Sequence, residues 1–278
     1  MKLSICHYSF HRRWEKEKWT PLRLCEEVKA LGIEAVDFHA RLLGKMDGVV
    51  EEIKSALSKT GLALSGLSLS TDFNLEDPEA QQKMIKNTID WMRVAAEVEA
   101  PVSRIFGGYL ANRLEIDEET RKAVYQRLID ALGTVAREAE KLGLVLALEN
   151  HGGLPCTGEE QVEVIEAVGS QYLRATIDVG NYLQGGQEAV DGTRAAAKYC
   201  AYVHFKDYKK YPDPQMPWGW NIEPCTVGKG DVDHLGCLRE LQAVGYDGYI
   251  ALEYEGKDDE AVGVPESVEF MKSVVAKL

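Results

Sequence analysis

Four ionisable residues stand at the ends of aliphatic runs: Glu149 closes "LALE", Asp178 closes "ATID", His204 closes "AYVH" and Glu253 closes "IALE". Runs of this kind are headed for a protein interior, where an unpaired charge is costly. Three carboxylates gathered in one partly desolvated pocket would repel, and each would tend to take up a proton unless a cation balanced it. A divalent metal supplies that balance. Three oxygen donors and one imidazole suit a hard or borderline ion, with Mn²⁺ the first expectation and Mg²⁺, Co²⁺ or Zn²⁺ as alternatives. The lack of a thiolate in the set argues against a structural zinc site.

The elements that must bring these residues together can be counted. Apolar runs at 3–10, 34–40, 62–70, 103–109, 144–151, 173–181, 201–208 and 248–255 read as eight strands. Amphipathic stretches alternate with them, among them 21–32, 78–100, 117–143, 231–245 and 265–278. Asp77, Asp117 and Asp231 are candidate N-caps, Pro21 and Pro78 suit first turns, and Gly32, Gly61, Gly143 and Gly245 suit helix ends. Eight strand-then-helix units with no linker or composition shift predict an α/β fold, a single (β/α)8 TIM barrel spanning 1–278. An open doubly wound sheet is the alternative, but the first strand–helix turn lacks the glycine-rich phosphate fingerprint. In barrel strands alternate residues face inward, so Glu149 shares inward parity with Ala147, Asp178 with Thr176, His204 with Tyr202 and Glu253 with Ala251. Strands five to eight therefore deliver Glu, Asp, His and Glu to the C-terminal mouth, where barrel active sites are built.

Composition narrows the function classes. The 278 residues are 45% hydrophobic and 28% charged, as in an ordinary globular protein, and the formal net charge is −13. Such a field repels a phosphate backbone, so no nucleic-acid partner is expected. No apolar stretch is long enough to cross a bilayer, and the N-terminal apolar run is too short for a signal peptide, so no membrane partner is expected. Six cysteines scattered without a C-x-x-C pair read as reduced thiols. The expected location is cytoplasmic, and a homo-oligomer is left open.

The motifs "ALENHGG" (147–153), "TIDVGN" (176–181), "VHFKD" (203–207), "GKGDVD" (228–233) and "GYDGYIALEYEG" (245–256) resemble the sugar phosphate isomerase/epimerase family, the xylose-isomerase-like barrels. The resemblance implies that Glu149, Asp178, His204 and Glu253 bind one divalent metal and that Glu149 and Glu253 act on a sugar or polyol substrate as acid and base. A metal that chelates a carbonyl oxygen and a neighbouring hydroxyl eases removal of the adjacent C–H proton. Return of that proton to the opposite face gives epimerisation, its relay to the next carbon gives isomerisation, and loss of a β-substituent gives elimination. An isomerase or epimerase is expected first, and a lyase or dehydratase of the inosose or keto-glycoside type second. Apurinic-site endonucleases share the barrel family but need additional histidine ligands, whereas this chain has six histidines. A non-catalytic sugar-binding barrel is the remaining class.

Further residues are candidates for holding substrate. Lys206 shares the inward parity of His204, and His151 that of Glu149. His7, like His39, falls near the end of an early strand. Asn181 stands where ketose 3-epimerases of the family carry histidine; their further glutamate after the first ligand is replaced here by "HGGLPCTG". The irregular stretch 209–230 reads as a long loop in which Trp218 and Trp220 form an aromatic wall over a ligand or a subunit contact. Gly228-Lys229-Gly230 reads as a turn into the following helix.

Overall fold

The computed structural model describes residues 1–110 and 113–278. Eight parallel strands form the barrel: β1 (Lys2–Cys6), β2 (Ala35–His39), β3 (Ala63–Ser68), β4 (Val102–Phe106), β5 (Val145–Glu149), β6 (Leu173–Asp178), β7 (Cys200–Phe205) and β10 (Tyr249–Leu252). Their order is β3-β2-β1-β10-β7-β6-β5-β4. The β3–β4 seam closes just above the strands, where Leu69 N–H donates to Arg104 O at 2.8 Å and Phe73 N–H to Gly107 O at 2.9 Å. This is a TIM barrel, as the alternation of runs implies.

The helices between strands cover the outside, and their ends follow local chemistry. Asp77 accepts from Glu79 N–H and Asp117 from Thr120 N–H, as expected, and Thr157 and Glu160 form a reciprocal capping box. Asp231 does not cap. That role falls to Asp233, which accepts from Gly236 N–H, while Asp231 is taken by Lys210 N–H. The last helix opens at Glu260 rather than 265, with Asp259 as its cap and Pro265 inside its second turn.

Valine, isoleucine and leucine fill the strands because both faces are covered. The outward-facing residues join the helices in one large apolar core. Inside the barrel lies a separate layer of Cys6, Val102, Ala147, Tyr202 and Ala251. Ser65 ties Ser4 to the Tyr202 hydroxyl in the same interior. Glu149 and Glu253 stand two residues beyond Ala147 and Ala251, so the acidic layer rests on this floor.

The stretch 209–230 is not an irregular loop. It contains an antiparallel hairpin, β8 (Tyr208–Pro212) with β9 (Trp220–Pro224), paired from Tyr208↔Pro224 to Pro212↔Trp220. Asp207 anchors its base by accepting N–H bonds from Tyr208, Gly228, Gly230 and Val232 at 2.8 to 3.2 Å. The Gly228–Gly230 turn thus spends its amides on a carboxylate and leads into the helix at His234, as a turn reading requires.

Candidate metal and substrate site

Each expected ligand sits at the end of its strand for a local reason. β5 stops at Glu149 because "NHGG" turns the chain, with Gly152 and Gly153 at φ +69° and +90°. β6 stops at Asp178, whose Oδ1 accepts from Gly180 and Asn181 N–H at 2.9 and 3.0 Å and winds the next turn. Asn150 fixes this junction from the side: its Nδ2 donates to Asp178 O, and its Oδ1 accepts from Asp178 N–H. Glu253 lies one residue past β10, and its N–H donates to Phe205 O at 2.9 Å.

One donor atom from each of Glu149, Asp178, His204 and Glu253 lies within 4.8 Å of all the others, and all four residues are buried. Donor atoms gathered this closely are those that would hold a single divalent ion. Glu149 Oε2, Asp178 Oδ2 and both His204 nitrogens are buried without a hydrogen-bond partner. Buried polar atoms are rarely left in that condition, and these all belong to the same cluster. The donor set therefore fits a divalent ion.

The charge balance is richer than the sequence suggested. Two basic side chains, themselves buried, enter the cluster. Arg104 on β4 places Nε 3.0 Å from Glu149 Oε2 and Nη2 3.7 Å from Glu253 Oε1. Lys206 Nζ lies 2.9 Å from Glu253 Oε2, 3.4 Å from Asp178 Oδ2 and 3.4 Å from Glu255 Oε2. The expectation that a metal alone neutralises the acids is corrected, because Arg104 and Lys206 carry part of that task. Burial pushes Glu149 up, but Arg104, with His204, holds it below the ordinary carboxylate value. Burial likewise opposes ionisation of Glu253, and Lys206 and His204 outweigh it. Asp178 is less compensated: burial, with Glu149 and Glu253 nearby, raises it to about 7 against the pull of Lys206.

The other expected residues gather around this cluster. Asn181 Nδ2 donates to Glu149 Oε1 at 3.1 Å, and its Oδ1 accepts from Tyr208 Oη and Gln184 Nε2. His151 lies beyond the end of β5, so parity does not place it, yet its ring stacks on Phe106 at 4.2 Å. Burial lowers its pKa to about 4. His7 opens a 3₁₀ turn beyond β1, packed edge-on to Trp14, and its Nε2 is buried without a partner. His39 N–H donates to His7 Nδ1 at 3.4 Å. Trp218, at the hairpin tip, lies over Gly186 and lines a cavity of about 300 Å³ with Tyr109, Gly152, Gln184 and Met216. Gly107 and Gly108 serve close backbone packing, since a Cβ at Gly107 would stand 2.3 Å from Leu154 O.

Sequence reasoning missed Arg104, Asp37, Glu255 and Cys6. Asp37 Oδ2 accepts from Ser68 Oγ at 2.6 Å and lies 3.8 Å from His204 Nε2. Cys6 Sγ is 3.9 Å from Glu253 Oε1. Parity was the available signal: Asp37 alternates with His39, and Arg104 with Phe106, which pairs with Glu149.

A barrel with a buried three-carboxylate, one-imidazole cluster at its C-terminal mouth defines a class of proteins. The chain belongs to the xylose isomerase-like TIM barrel family, whose model matches residues 25–274. Uncharacterized protein MJ1311 of Methanocaldococcus jannaschii is 24% identical over 190 residues, which is 65% of this chain and 61% of that protein's length. Among solved structures, the apo 3-keto-D-glucoside 4-epimerase YcjR from E. coli aligns with a TM-score of 0.78 at 16% identity, over 98% of this chain and 99% of that one. D-psicose 3-epimerase with D-tagatose from Clostridium cellulolyticum H10 gives 0.77 at 17% identity, over 99% of each chain. A xylose isomerase-like TIM barrel protein from Mycobacterium smegmatis in complex with magnesium gives 0.73 at 18%, over 99% of this chain and 97% of that one. At these identities the structural likeness is one of fold.

Proposed function

We propose that the protein is a divalent-metal-dependent isomerase or epimerase acting on a sugar or related polyol ketone by proton transfer next to a carbonyl. The observation that carries this reading is the buried set of Glu149, Asp178, His204 and Glu253 inside one 4.8 Å cluster, with atoms of Glu149, Asp178 and His204 left without hydrogen-bond partners. The sugar epimerases among the fold neighbours agree with it.

Glu149, Asp178, His204 and Glu253 would hold the ion, Mn²⁺ being the first choice for this donor set. When bound, it polarises a carbonyl and lowers the barrier to removing the neighbouring proton. Glu149 and Glu253 are the acid and base. Arg104 and Asn181 hold Glu149 ionised and oriented, and Lys206 does the same for Glu253, so each begins as a competent proton acceptor. In isomerisation the one that takes the proton returns it to the neighbouring carbon; in epimerisation the other glutamate, once it has taken a proton from solvent, delivers it to the opposite face. Lys206, buried among three carboxylates, presents its ammonium to substrate oxygens. His151 and His7 are neutral at pH 7 and offer hydrogen bonds to hydroxyls, and Trp218 walls the outer cavity.

The test is solvent deuterium incorporation with Mn²⁺ across ketoses, inososes and keto-glycosides. Label at the carbon beside the carbonyl is expected in recovered substrate or product. Turnover without label would favour a hydride shift, and release of a β-substituent would move the assignment to a lyase. A panel with no turnover would refute the enzyme reading.

A further inference from the structure

Arg104 is a fully enclosed charge in the barrel that the proposed chemistry does not use directly. It projects from β4 with its side chain 0% exposed. Burying a guanidinium costs several kcal/mol unless partners recover it, and an apolar residue would fill the layer without that cost. Its surroundings fix it from three sides. The guanidinium lies over the Phe106 ring at 4.0 Å, and Nη1 donates to Leu69 O at 2.9 Å. The backbone beneath is stitched to the neighbouring strand end: Leu69 N–H donates to Arg104 O, and Thr71 Oγ1 both accepts from Phe106 N–H and donates to Phe106 O. What remains are Nε and Nη2, buried and without hydrogen bonds of good geometry, lying 3.0 Å from Glu149 Oε2 and 3.7 Å from Glu253 Oε1 respectively.

We propose that Arg104 is a positioning residue: its rigid two-pronged guanidinium, clamped by Phe106 and Leu69 O, sets the spacing and orientation of Glu149 and Glu253 so that both can serve one divalent ion. This rests on the metal-site reading above and extends it to a residue outside the ligand set. A planar fork fixed at its back presents two N–H groups at constant separation, which a lysine cannot do. Outer-shell partners of this kind orient ligands and govern affinity.

The proposal has a sign that charge alone does not share. Removing a positive group beside a cation site should tighten cation binding by relieving Coulomb repulsion. Removing a positioning group should weaken it. Mn²⁺ binding is measured by calorimetry at pH ~8 on wild type, Arg104→Lys, Arg104→Met and Phe106→Leu, with thermal unfolding as a check of folding. Arg104→Lys keeps the charge and loses the fork, and Phe106→Leu loses the platform and leaves the cluster untouched. Both are expected to weaken Mn²⁺ binding, the former by roughly ten- to a hundred-fold and the latter by less. Arg104→Met is expected to weaken it as well; if it does not fold, the other two variants decide. Wild-type affinity in both Arg104→Lys and Phe106→Leu, or tighter binding in Arg104→Met, overturns the positioning role. A wild-type protein that binds no Mn²⁺ fails differently, by overturning the metal-site reading itself.

Discussion

His7 provides a quantitative prediction. Its ring is buried, with Nδ1 accepting from the His39 amide, so the neutral tautomer carries its proton on Nε2. Burial lowers its pKa from 6.5 to about 3. A group whose folded pKa is depressed in this way is protonated first in the unfolded chain. Stability is therefore full above pH 6.5 and falls as pH drops toward 3. At pH ~4.5 the unfolded state has gained two pH units of protonation that the folded state refuses. At roughly 1.4 kcal/mol per unit this is about 3 kcal/mol of lost stability. His7→Phe removes the titration and keeps a ring against Trp14, while giving up the His39 N–H acceptor, at a cost of about 1 kcal/mol at pH 7. Urea unfolding of both proteins at pH ~7.5 and ~4.5 should show wild type losing about 3 kcal/mol more than the variant over that interval. His39, lowered by burial, Arg104 and His7, remains in both, so only the part of its shift that His7 causes enters the difference. Parallel losses would refute the buried, neutral state of His7.

Three other substitutions separate parts of the account. Asn181→Ala removes the donor to Glu149 and the acceptor of the Tyr208 hydroxyl, and turnover of a responsive substrate should fall by roughly ten- to a hundred-fold in kcat with a smaller change in KM. Gly186→Ala adds a Cβ that would meet the Trp218 ring at 2.2 Å at a backbone φ of +74°. It should raise KM, displace the hairpin tip and cost about 1 kcal/mol in thermal unfolding. Asp207→Asn keeps the shape but turns one acceptor oxygen into a donor that faces N–H groups, so unfolding should be easier by about 2 to 3 kcal/mol.

The strand runs and their period of two were legible because parallel barrel strands are apolar on both faces, so an ionisable residue among them stands out. That contrast located Glu149, Asp178, His204 and Glu253. The same apolar flanks concealed where strands end: β1 stops at Cys6 and β5 at Glu149, because a 3₁₀ turn at His7 and the Gly152-Gly153 bend redirect the chain. Arg104 was passed over because an arginine in "SRIF" reads as solvent-facing, and only its parity with Phe106 shows that it turns inward. The hairpin at 208–224 was hidden for the opposite reason. Its strands are mostly half-buried or exposed, so no apolar alternation marks them, and its prolines read as loop punctuation.

The central claim is that acids from adjacent strands converge to hold a single divalent ion. Metal analysis after loading with Mn²⁺ and removal of the excess tests it most directly, comparing wild type with Glu149→Gln and Asp178→Asn. One ion per chain in wild type, and loss of that ion in both folded variants, is the predicted result. Wild type without bound metal, or variants that retain it in full, would contradict the account.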